Sequence, residues 1–186
     1  MRIISGTNKG KKIYLPKDKK TRPLKDMVKE SIFNVIEHSN SLNFFVKNST
    51  ILDLFSGSGS FGLEAISRGA KEVVFMENYS KIIPILRKNI SHLNFEGKCE
   101  LINYDCFEFF KSKKKLNKTF DIIFLDPPFK EKRIKLLIDQ IIENKILKKN
   151  GFLIVHRHKK DDFSLKENLR IIDTRIYGIS KIIFGF

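Results

Sequence analysis

The chain has 186 residues and a formal net charge of +15, so it is long enough for one domain with a full hydrophobic core. An excess of positive charge this large favours a polyanionic partner, because solubility alone requires far less imbalance. No segment contains roughly 18 uninterrupted apolar residues or a secretory signal, and we therefore expect a cytoplasmic protein with no membrane contact.

Cys99 and Cys106 are the only cysteines. Without metal-ligand spacing they predict two buried, reduced thiols and no metal site.

Positive charge is concentrated at the start of the chain. Residues 1–25 contain nine Lys or Arg side chains and a single acid, Asp18, which gives this segment a net charge of +8. A Lys-rich composition explains part of the excess but not the lack of acids here. Apolar patches around a Gly- and Asn-containing segment predict a hairpin over 1–15, and 16–23 form a basic loop. Apolar residues at 24, 27, 28, 32, 35 and 36 predict a helix, with Lys29 outside its apolar face.

A boundary near Lys47 divides this basic extension, residues 1–47, from a main domain, residues 48–186. Strands are predicted at 50–55, 71–76, 99–103, 120–125, 151–156, 169–176 and 179–186, and helices at 59–68, 84–93, 105–113 and after the fourth strand. Alternating strands and helices predict a parallel sheet with helices on both faces. The last two strands have no helix between them, so one C-terminal strand should be antiparallel. The sequence thus predicts an α/β fold with a seven-stranded, mostly parallel sheet and a small N-terminal hairpin and helix.

The fourth predicted strand ends at a short rigid motif. An almost continuous apolar run over 120–125 indicates a strand buried on both faces, and Asp126, Pro127, Pro128 and Phe129 follow it. Consecutive prolines lack N–H groups and stiffen the chain. The motif therefore holds one carboxylate and one aromatic ring at a fixed separation, as an active site requires. The alternative is a proline-rich turn in which Asp126 caps a neighbouring backbone group.

A glycine loop follows the first strand of the main domain. Gly57, Gly59 and Gly62 have the spacing of a dinucleotide-binding loop between a strand and a helix. Such glycines allow a tight turn, close approach of a ligand and close helix packing. A nicotinamide-dependent dehydrogenase is therefore one alternative.

Three acids at successive strand ends oppose that alternative. Asp53 would repel a pyrophosphate but could hold an ammonium group, Glu77 could bind ribose hydroxyls, and Asp105 could meet an adenine amine. Three acids around one loop suit a positively charged ligand, and S-adenosylmethionine carries a sulfonium and an ammonium group. Each acid alone could equally be an ordinary strand-end or N-cap carboxylate.

The same chemistry suggests a role for the rigid motif. A base amine is a poor nucleophile because its lone pair is delocalised into the ring. Asp126 and a proline carbonyl could accept its two N–H bonds and orient the lone pair, while Phe129 stacks on the base, worth about 1–3 kcal/mol. A base within a duplex could not enter, so the target must be single-stranded or flipped out.

Together these residues resemble the class I methyltransferases, and more narrowly the bacterial RsmD-type enzymes that methylate guanine N2 in 16S ribosomal RNA. The similarity covers residues 1–6, 21–23, 28–34, 52–65, 67–70, 124–129 and 177–178. It implies a Rossmann-like fold, S-adenosylmethionine as cofactor, and 16S ribosomal RNA or the small ribosomal subunit as partner of a monomer. The implied cofactor-binding residues are Asp53, Phe55, Gly57, Gly59, Glu77, Asn78, Asp105 and Cys106. The implied catalytic residues are Asp126, Pro127, Pro128 and Phe129, and the implied substrate-binding residues are Lys19, Lys20 and Arg22.

One position departs from that family. After the fifth strand the family usually has a glutamate before a histidine, whereas this chain has His156, Arg157 and His158. We expect both histidines to be surface residues rather than ligands.

Other functions stay open at this point. Adenine-N6 methylation of DNA or RNA uses the same Asp-Pro-Pro-Phe motif, although 186 residues leave no room for a separate DNA-recognition domain. A non-catalytic RNA-binding factor on the same scaffold is a further alternative, opposed by the intact glycine loop and Asp126. Protein amide methylation is disfavoured because those enzymes carry Asn in place of Asp126.

Overall fold

The computed structural model describes residues 1–17, 23–39, 44–112, 116–161 and 169–186. In chain order the elements are α1 Asp26–His38, β1 Thr50–Leu54, α2 Ser60–Ser67, β2 Glu72–Glu77, α3 Ile83–His92, β3 Cys99–Asn103, α4 Cys106–Lys111, β4 Phe120–Leu125, α5 Ile134–Glu143, β5 Leu147–His158, β6 Ile171–Tyr177 and β7 Ser180–Gly185. A short 3₁₀ turn, Glu96–Lys98, precedes β3.

The centre of the fold is a seven-stranded sheet with the order β3-β2-β1-β4-β5-β7-β6. The first five strands of this order are parallel neighbours. Strand β7 runs in the opposite direction, between β5 and β6. The predicted mostly parallel sheet with an antiparallel C-terminal strand is confirmed.

Strand β5 begins four residues earlier than the sequence predicts. Its polar first residues do not show the apolar pattern of a buried strand, yet Leu147 pairs with Phe120 before the register shifts. The shift lies beside Gly151, where a Cβ atom would come within 2.9 Å of the carbonyl oxygens of Phe120 and Asp121. Only glycine permits this close approach of the two strands.

Two hydrophobic clusters cover the two faces of the sheet. Helix α5 buries Ile134, Leu137, Ile138 and Ile141 against one face of the sheet, and Ile142 is partly buried beside them. On the other face, α1 packs with α2 and the N-terminal segment. Parallel strands of this kind are apolar on both sides because helices cover both faces.

Two predictions about the faces of helix α1 are wrong. Met27, assigned to the apolar face, is 62% exposed, whereas Lys29, assigned to the outside, is fully buried. The Lys29 ammonium donates to the Arg2 carbonyl and lies 3.5 Å from the Glu64 carboxylate. Burial lowers the pKa of Lys29 in spite of this partner. A buried lysine of this kind has no periodic signature, because its partner is remote in sequence.

The N-terminal segment pairs with itself and with α2. Arg2 and Lys12 form an antiparallel bridge, in agreement with the predicted hairpin. The buried carboxylate of Glu64 accepts hydrogen bonds from the backbone N–H groups of Ile4 and Ser5. Gly6 lies so close to the Ser67 carbonyl that a Cβ atom would come 1.8 Å from its oxygen. The division into a basic extension, residues 1–47, and a main domain, residues 48–186, stays a proposal. The described parts of both contribute to one hydrophobic core.

Both cysteines carry free thiols, and Cys106 is buried as predicted, whereas Cys99 is only partly buried. Burial raises the pKa of the Cys99 thiol to about 12 and raises the pKa of Cys106 as well. In the described part of the chain, no helix combines the length and the apolarity needed to cross a membrane.

Candidate active site

A cavity of about 450 Å³ opens at the carboxyl ends of β1, β2 and β4. Strand β1 lies between β2 and β4. From β1, the sheet continues to β2 and β3 on one side and to β4 and β5 on the other, so the direction of the connections changes at β1. This is the topological switch point at which open α/β sheets bind ligands. The predicted site residues that line the cavity are Asp53, Phe55, Gly57, Glu77, Asn78, Asp126, Pro127, Pro128 and Phe129.

Of the other predicted residues, three are not part of the cavity wall and three are not described. Gly59, Asp105 and Cys106 are not part of the cavity wall, and Lys19, Lys20 and Arg22 lie outside the described residues. The wall also contains Leu15, Pro16, Pro23 and Leu24, which the sequence did not single out. These residues carry no chemical signature of their own. The sequence therefore held no signal that would have placed them at the site.

Left-handed backbone shapes the glycine loop. Phe55, Gly57 and Gly59 all have positive φ, at 59°, 54° and 80°. A Cβ atom at Gly59 would lie 2.4 Å from Leu86 Cδ1. Gly59 therefore serves the turn and the packing of α2, whereas Gly57 lies at the cavity wall.

Asp53 is a buried carboxylate at the cavity wall. It is 1% exposed, and its Oδ2 accepts a hydrogen bond from the backbone N–H of Gly62 at 3.0 Å. Burial raises the pKa of Asp53 well above its usual range, and the nearby carboxylates of Asp126 and Glu77 raise it further. Such a group gains free energy from a cationic partner and opposes a pyrophosphate.

Glu77 fixes the glycine loop to the end of β2. Its Oε2 accepts from Gly57 N at 2.8 Å, and its Oε1 accepts from the N–H groups of Asn78 and Tyr79, both at 2.9 Å. A carboxylate has about four acceptor positions. About one therefore remains for a ligand hydroxyl.

Asp105 is the N-cap of α4. Its Oδ1 accepts from the N–H groups of Phe107 and Glu108, at 2.9 Å and 3.1 Å. Its Oδ2 accepts from Nδ2 of Asn78 at 2.6 Å. Asp105 is thus connected to the cavity through Asn78. Its hydrogen bonds are those of an N-cap carboxylate, the alternative that the sequence left open for each acid.

The rigid motif faces the glycine loop across the same cavity. The backbone N–H of Asp126 points to the Leu54 carbonyl, 3.4 Å away, which continues the β1–β4 pairing beyond Leu125. The Asp126 side chain is 12% exposed, and its Oδ1 lies 2.8 Å from Nδ1 of His156. One of these two atoms donates and the other accepts, and the tautomer of the imidazole decides which.

The expected surface position of His156 is wrong. Its ring is 1% exposed and lies edge-on to the Phe129 ring at 5.5 Å, while His158 lies at 5.2 Å from the same ring. Leu125 pairs with Val155, so the next positions of the two strands bring Asp126 beside His156. The length of the buried apolar run before His156 was the available signal.

Arg157 is the second residue that sequence reasoning missed. It is 3% exposed, and its guanidinium donates to the carbonyl oxygens of Phe129 and Glu131 at 3.2 Å and 2.9 Å. It also forms an ion pair with Asp161. The position at which this chain departs from the RsmD-type pattern therefore contacts the loop that follows the rigid motif.

Comparison with known proteins places this geometry in a family. The family model described as "Conserved hypothetical protein 95" matches residues 1–185. The chain belongs to this family. A member named "Ribosomal RNA small subunit methyltransferase D", from Haemophilus influenzae, is 34% identical over 180 residues, which cover 96% of this chain and 90% of the relative. The protein of the same name from Buchnera aphidicola is 35% identical over 94% of this chain and 86% of its own length.

Solved structures show the same fold. "Putative methyltransferase yhhF" from Escherichia coli superposes with a TM-score of 0.83 at 25% identity and covers 100% of this chain and 96% of its own. A second solved structure, of a putative methyltransferase complexed with SAH, superposes with a TM-score of 0.64 at 19% identity. It covers 83% of this chain and 50% of its own, and at this identity the likeness shows the fold alone. The RsmD-type resemblance and the Rossmann-like class I fold are confirmed, and the chain is a member of a methyltransferase family.

The residues of the cavity fit the cofactor expected for this family. Asp53 offers a buried carboxyl group whose ionised form a cation would stabilise, Glu77 retains acceptor capacity, and Gly57 leaves room for close approach. A volume of about 450 Å³ is within the range of small-molecule sites. Among the described residues, no group of three or more His, Cys, Asp or Glu side chains is arranged to hold a metal ion.

Proposed function

We propose that this chain methylates the exocyclic N2 amine of a guanine in 16S ribosomal RNA, with S-adenosylmethionine as the methyl donor. The observation that carries the proposal is the shared cavity: Asp126 and Phe129 line it together with Asp53 and Gly57. The names of the relatives agree with the proposal at the level of small-subunit ribosomal RNA methylation.

The cofactor half of the cavity is assigned to the β1 and β2 ends. When bound, S-adenosylmethionine supplies an electrophilic methyl group. Asp53 would hold its ammonium group, because a cation compensates the free energy that burial of the carboxylate costs. Glu77 and Asn78 would bind the ribose side, and Phe55, which packs on Phe107 at 5.8 Å, would border the adenosine.

The substrate half is assigned to the rigid motif. Asp126 would accept one N–H of the guanine amine, and a proline carbonyl would accept the other. These two acceptors would orient the lone pair, and the Phe129 ring would hold the base by stacking. Correct alignment of two reactants can contribute up to about 7–11 kcal/mol, so positioning alone accounts for much of the expected acceleration.

The RNA chain is assigned to the basic N-terminal segment and the adjacent face of α3. The Tyr14 ring lies 4.2 Å from the Lys88 ammonium and 5.7 Å from that of Lys12. The buried Asn89 side chain bonds to the backbone of Tyr14 and to the Ser58 carbonyl, so this surface is attached to the glycine loop. An aromatic ring between lysines, beside the cavity mouth, suits a single strand that contacts phosphates and stacks a base.

The identity of the labelled nucleoside tests the proposal. The protein is incubated with methyl-labelled cofactor and either free 16S RNA or small-subunit particles, and the RNA is digested to nucleosides. The proposal predicts label in N2-methylguanosine with at least one of the two substrates. Label in N6-methyladenosine would establish the adenine alternative, and no transfer to either substrate would favour a non-catalytic RNA-binding factor.

A further inference from the structure

We propose that His156 and Arg157 position the base-binding motif, His156 by holding the Asp126 carboxylate and Arg157 by holding the backbone of residues 128–131. We call this pair the β5 clamp. The inference rests on the proposed function, since it gives Asp126 and Phe129 their roles in binding the target base.

The first half of the clamp acts on the carboxylate. His156 is 1% exposed and its Nδ1 lies 2.8 Å from Asp126 Oδ1. A carboxylate at a strand end can rotate about its last side-chain bond, and this hydrogen bond fixes that rotation. The same imidazole forms a T-shaped contact with the Phe129 ring, with the ring centres 5.5 Å apart. One side chain therefore contacts both the acceptor and the stacking ring.

The second half acts on the backbone. Pro127 and Pro128 have no N–H groups, so the exit of β4 cannot be held by further ladder hydrogen bonds from these residues. Arg157 supplies donors instead, to the carbonyls of Phe129 and Glu131. A buried guanidinium is stable only where charge and hydrogen bonds are satisfied, and Asp161 supplies the opposite charge.

The two halves are consecutive residues of β5, and consecutive side chains of a strand project to opposite faces. The clamp therefore approaches the exit of β4 from both sides of the sheet. A displacement of about 1 Å at a reacting group can lower a rate about 100-fold. Loss of either half should therefore lower kcat while the affinity for S-adenosylmethionine, which we assign to β1 and β2, stays unchanged.

The experiment compares matched variants at each position. His156→Asn retains a donor close to the position of Nδ1, whereas His156→Leu is of similar size and has none. Arg157→Lys retains the charge and part of the donor set, whereas Arg157→Met retains only the apolar stem. For each protein, kcat and KM for RNA, Kd for the cofactor and the thermal midpoint are measured, with Asp126→Ala as the reference.

The clamp predicts that His156→Leu lowers kcat about 100-fold with Kd for the cofactor within about 2-fold of the original. His156→Asn should recover at least about 10-fold of that loss. Equal loss in both variants, or a wild-type kcat in His156→Leu, would overturn the role of His156. If His156→Leu is unfolded at the assay temperature, the Arg157 pair decides: a kcat of Arg157→Met that equals the wild-type value overturns the clamp.

The reference variant separates the two proposals. An inactive Asp126→Ala protein together with fully active clamp variants would reject the clamp alone. An active Asp126→Ala protein would reject the proposed function on which the clamp rests.

Discussion

The Asp53 carboxylate accepts a hydrogen bond from the backbone of Gly62 at 3.0 Å while it is buried beside Asp126 and Glu77. The end of β1 and the first turn of α2 thus meet through one acid. Because burial and the two neighbouring acids raise its pKa, Asp53 holds its proton to a higher pH than an exposed aspartate does. A cationic ligand would reverse this tendency.

Binding of S-adenosylmethionine should therefore release a proton. The ammonium group favours the ionised carboxylate, so the pKa of Asp53 falls on binding, and affinity rises with pH through the window between the bound and the free pKa. Isothermal titration calorimetry in buffers of different ionisation enthalpy measures the release. Asp53→Asn should abolish it and weaken binding. An unchanged proton release in that variant would contradict this assignment.

The same shift predicts a stability effect without ligand. A carboxyl group whose pKa is raised in the folded state favours folding while it is protonated, and this contribution is lost as pH rises through the folded-state pKa. Asp53→Asn removes the cost of ionisation and can still accept the Gly62 N–H. The thermal midpoint of Asp53→Asn minus that of the original protein should therefore be larger at about pH 8 than at about pH 5. An equal difference at both pH values would be inconsistent with a shifted Asp53.

Replacing Gly59 by alanine should weaken cofactor binding and stability together. Its φ is 80°, and a Cβ atom would meet Leu86 Cδ1 at 2.4 Å. Left-handed backbone costs about 1–2 kcal/mol for a residue with a Cβ atom, and movement of Leu86 would disturb the loop. Gly10→Ala is a matched control, because Gly10 has a φ of 84° and a Cβ atom there would meet no other atom within 4 Å. It should lose only the backbone contribution, measured by urea denaturation, and keep the cofactor Kd.

The Lys29–Glu64 pair should stabilise the attachment of the N-terminal segment. Both side chains are fully buried, at 3.5 Å, and Glu64 also holds Ile4 and Ser5. Removal of one partner of a buried pair typically costs about 3–5 kcal/mol. Lys29→Met and Glu64→Gln should each lower the free energy of unfolding by an amount of that order, and the double variant by less than the sum. Strict additivity in urea denaturation would show that the two side chains do not interact.

Lys12 and Lys88 should contribute to the salt dependence of RNA binding. Each phosphate contact that is lost reduces the slope of log affinity against log salt by about 0.7–0.9. Tyr14→Ala should weaken binding by about 1–3 kcal/mol if the ring stacks on a base. Lys118→Ala is the control, since Lys118 pairs with Glu72 at the start of β2, at the end of the strand remote from the cavity. An equal slope change in the control would indicate general rather than local electrostatics.

The sequence predicted the sheet because its strands are short apolar runs separated by amphipathic helices, and that pattern is local. It also predicted that Asp53, Gly57 and Asp126 would share one site, since parallel strands end at one edge. Lys29, His156 and Arg157 were misplaced or missed for a common reason. Each is a buried polar residue whose partner lies far along the chain, and neither periodicity nor composition encodes such pairs.

The most direct test of the central claim is single-turnover methyl transfer by Asp126→Ala, which removes the acceptor, with cofactor Kd measured on the same preparation. The original protein should label guanine N2 in 16S RNA. The variant should lose about 100-fold or more in rate while its Kd for S-adenosylmethionine changes little. A rate within about 2-fold of the original would contradict the claim that this carboxylate holds the target amine.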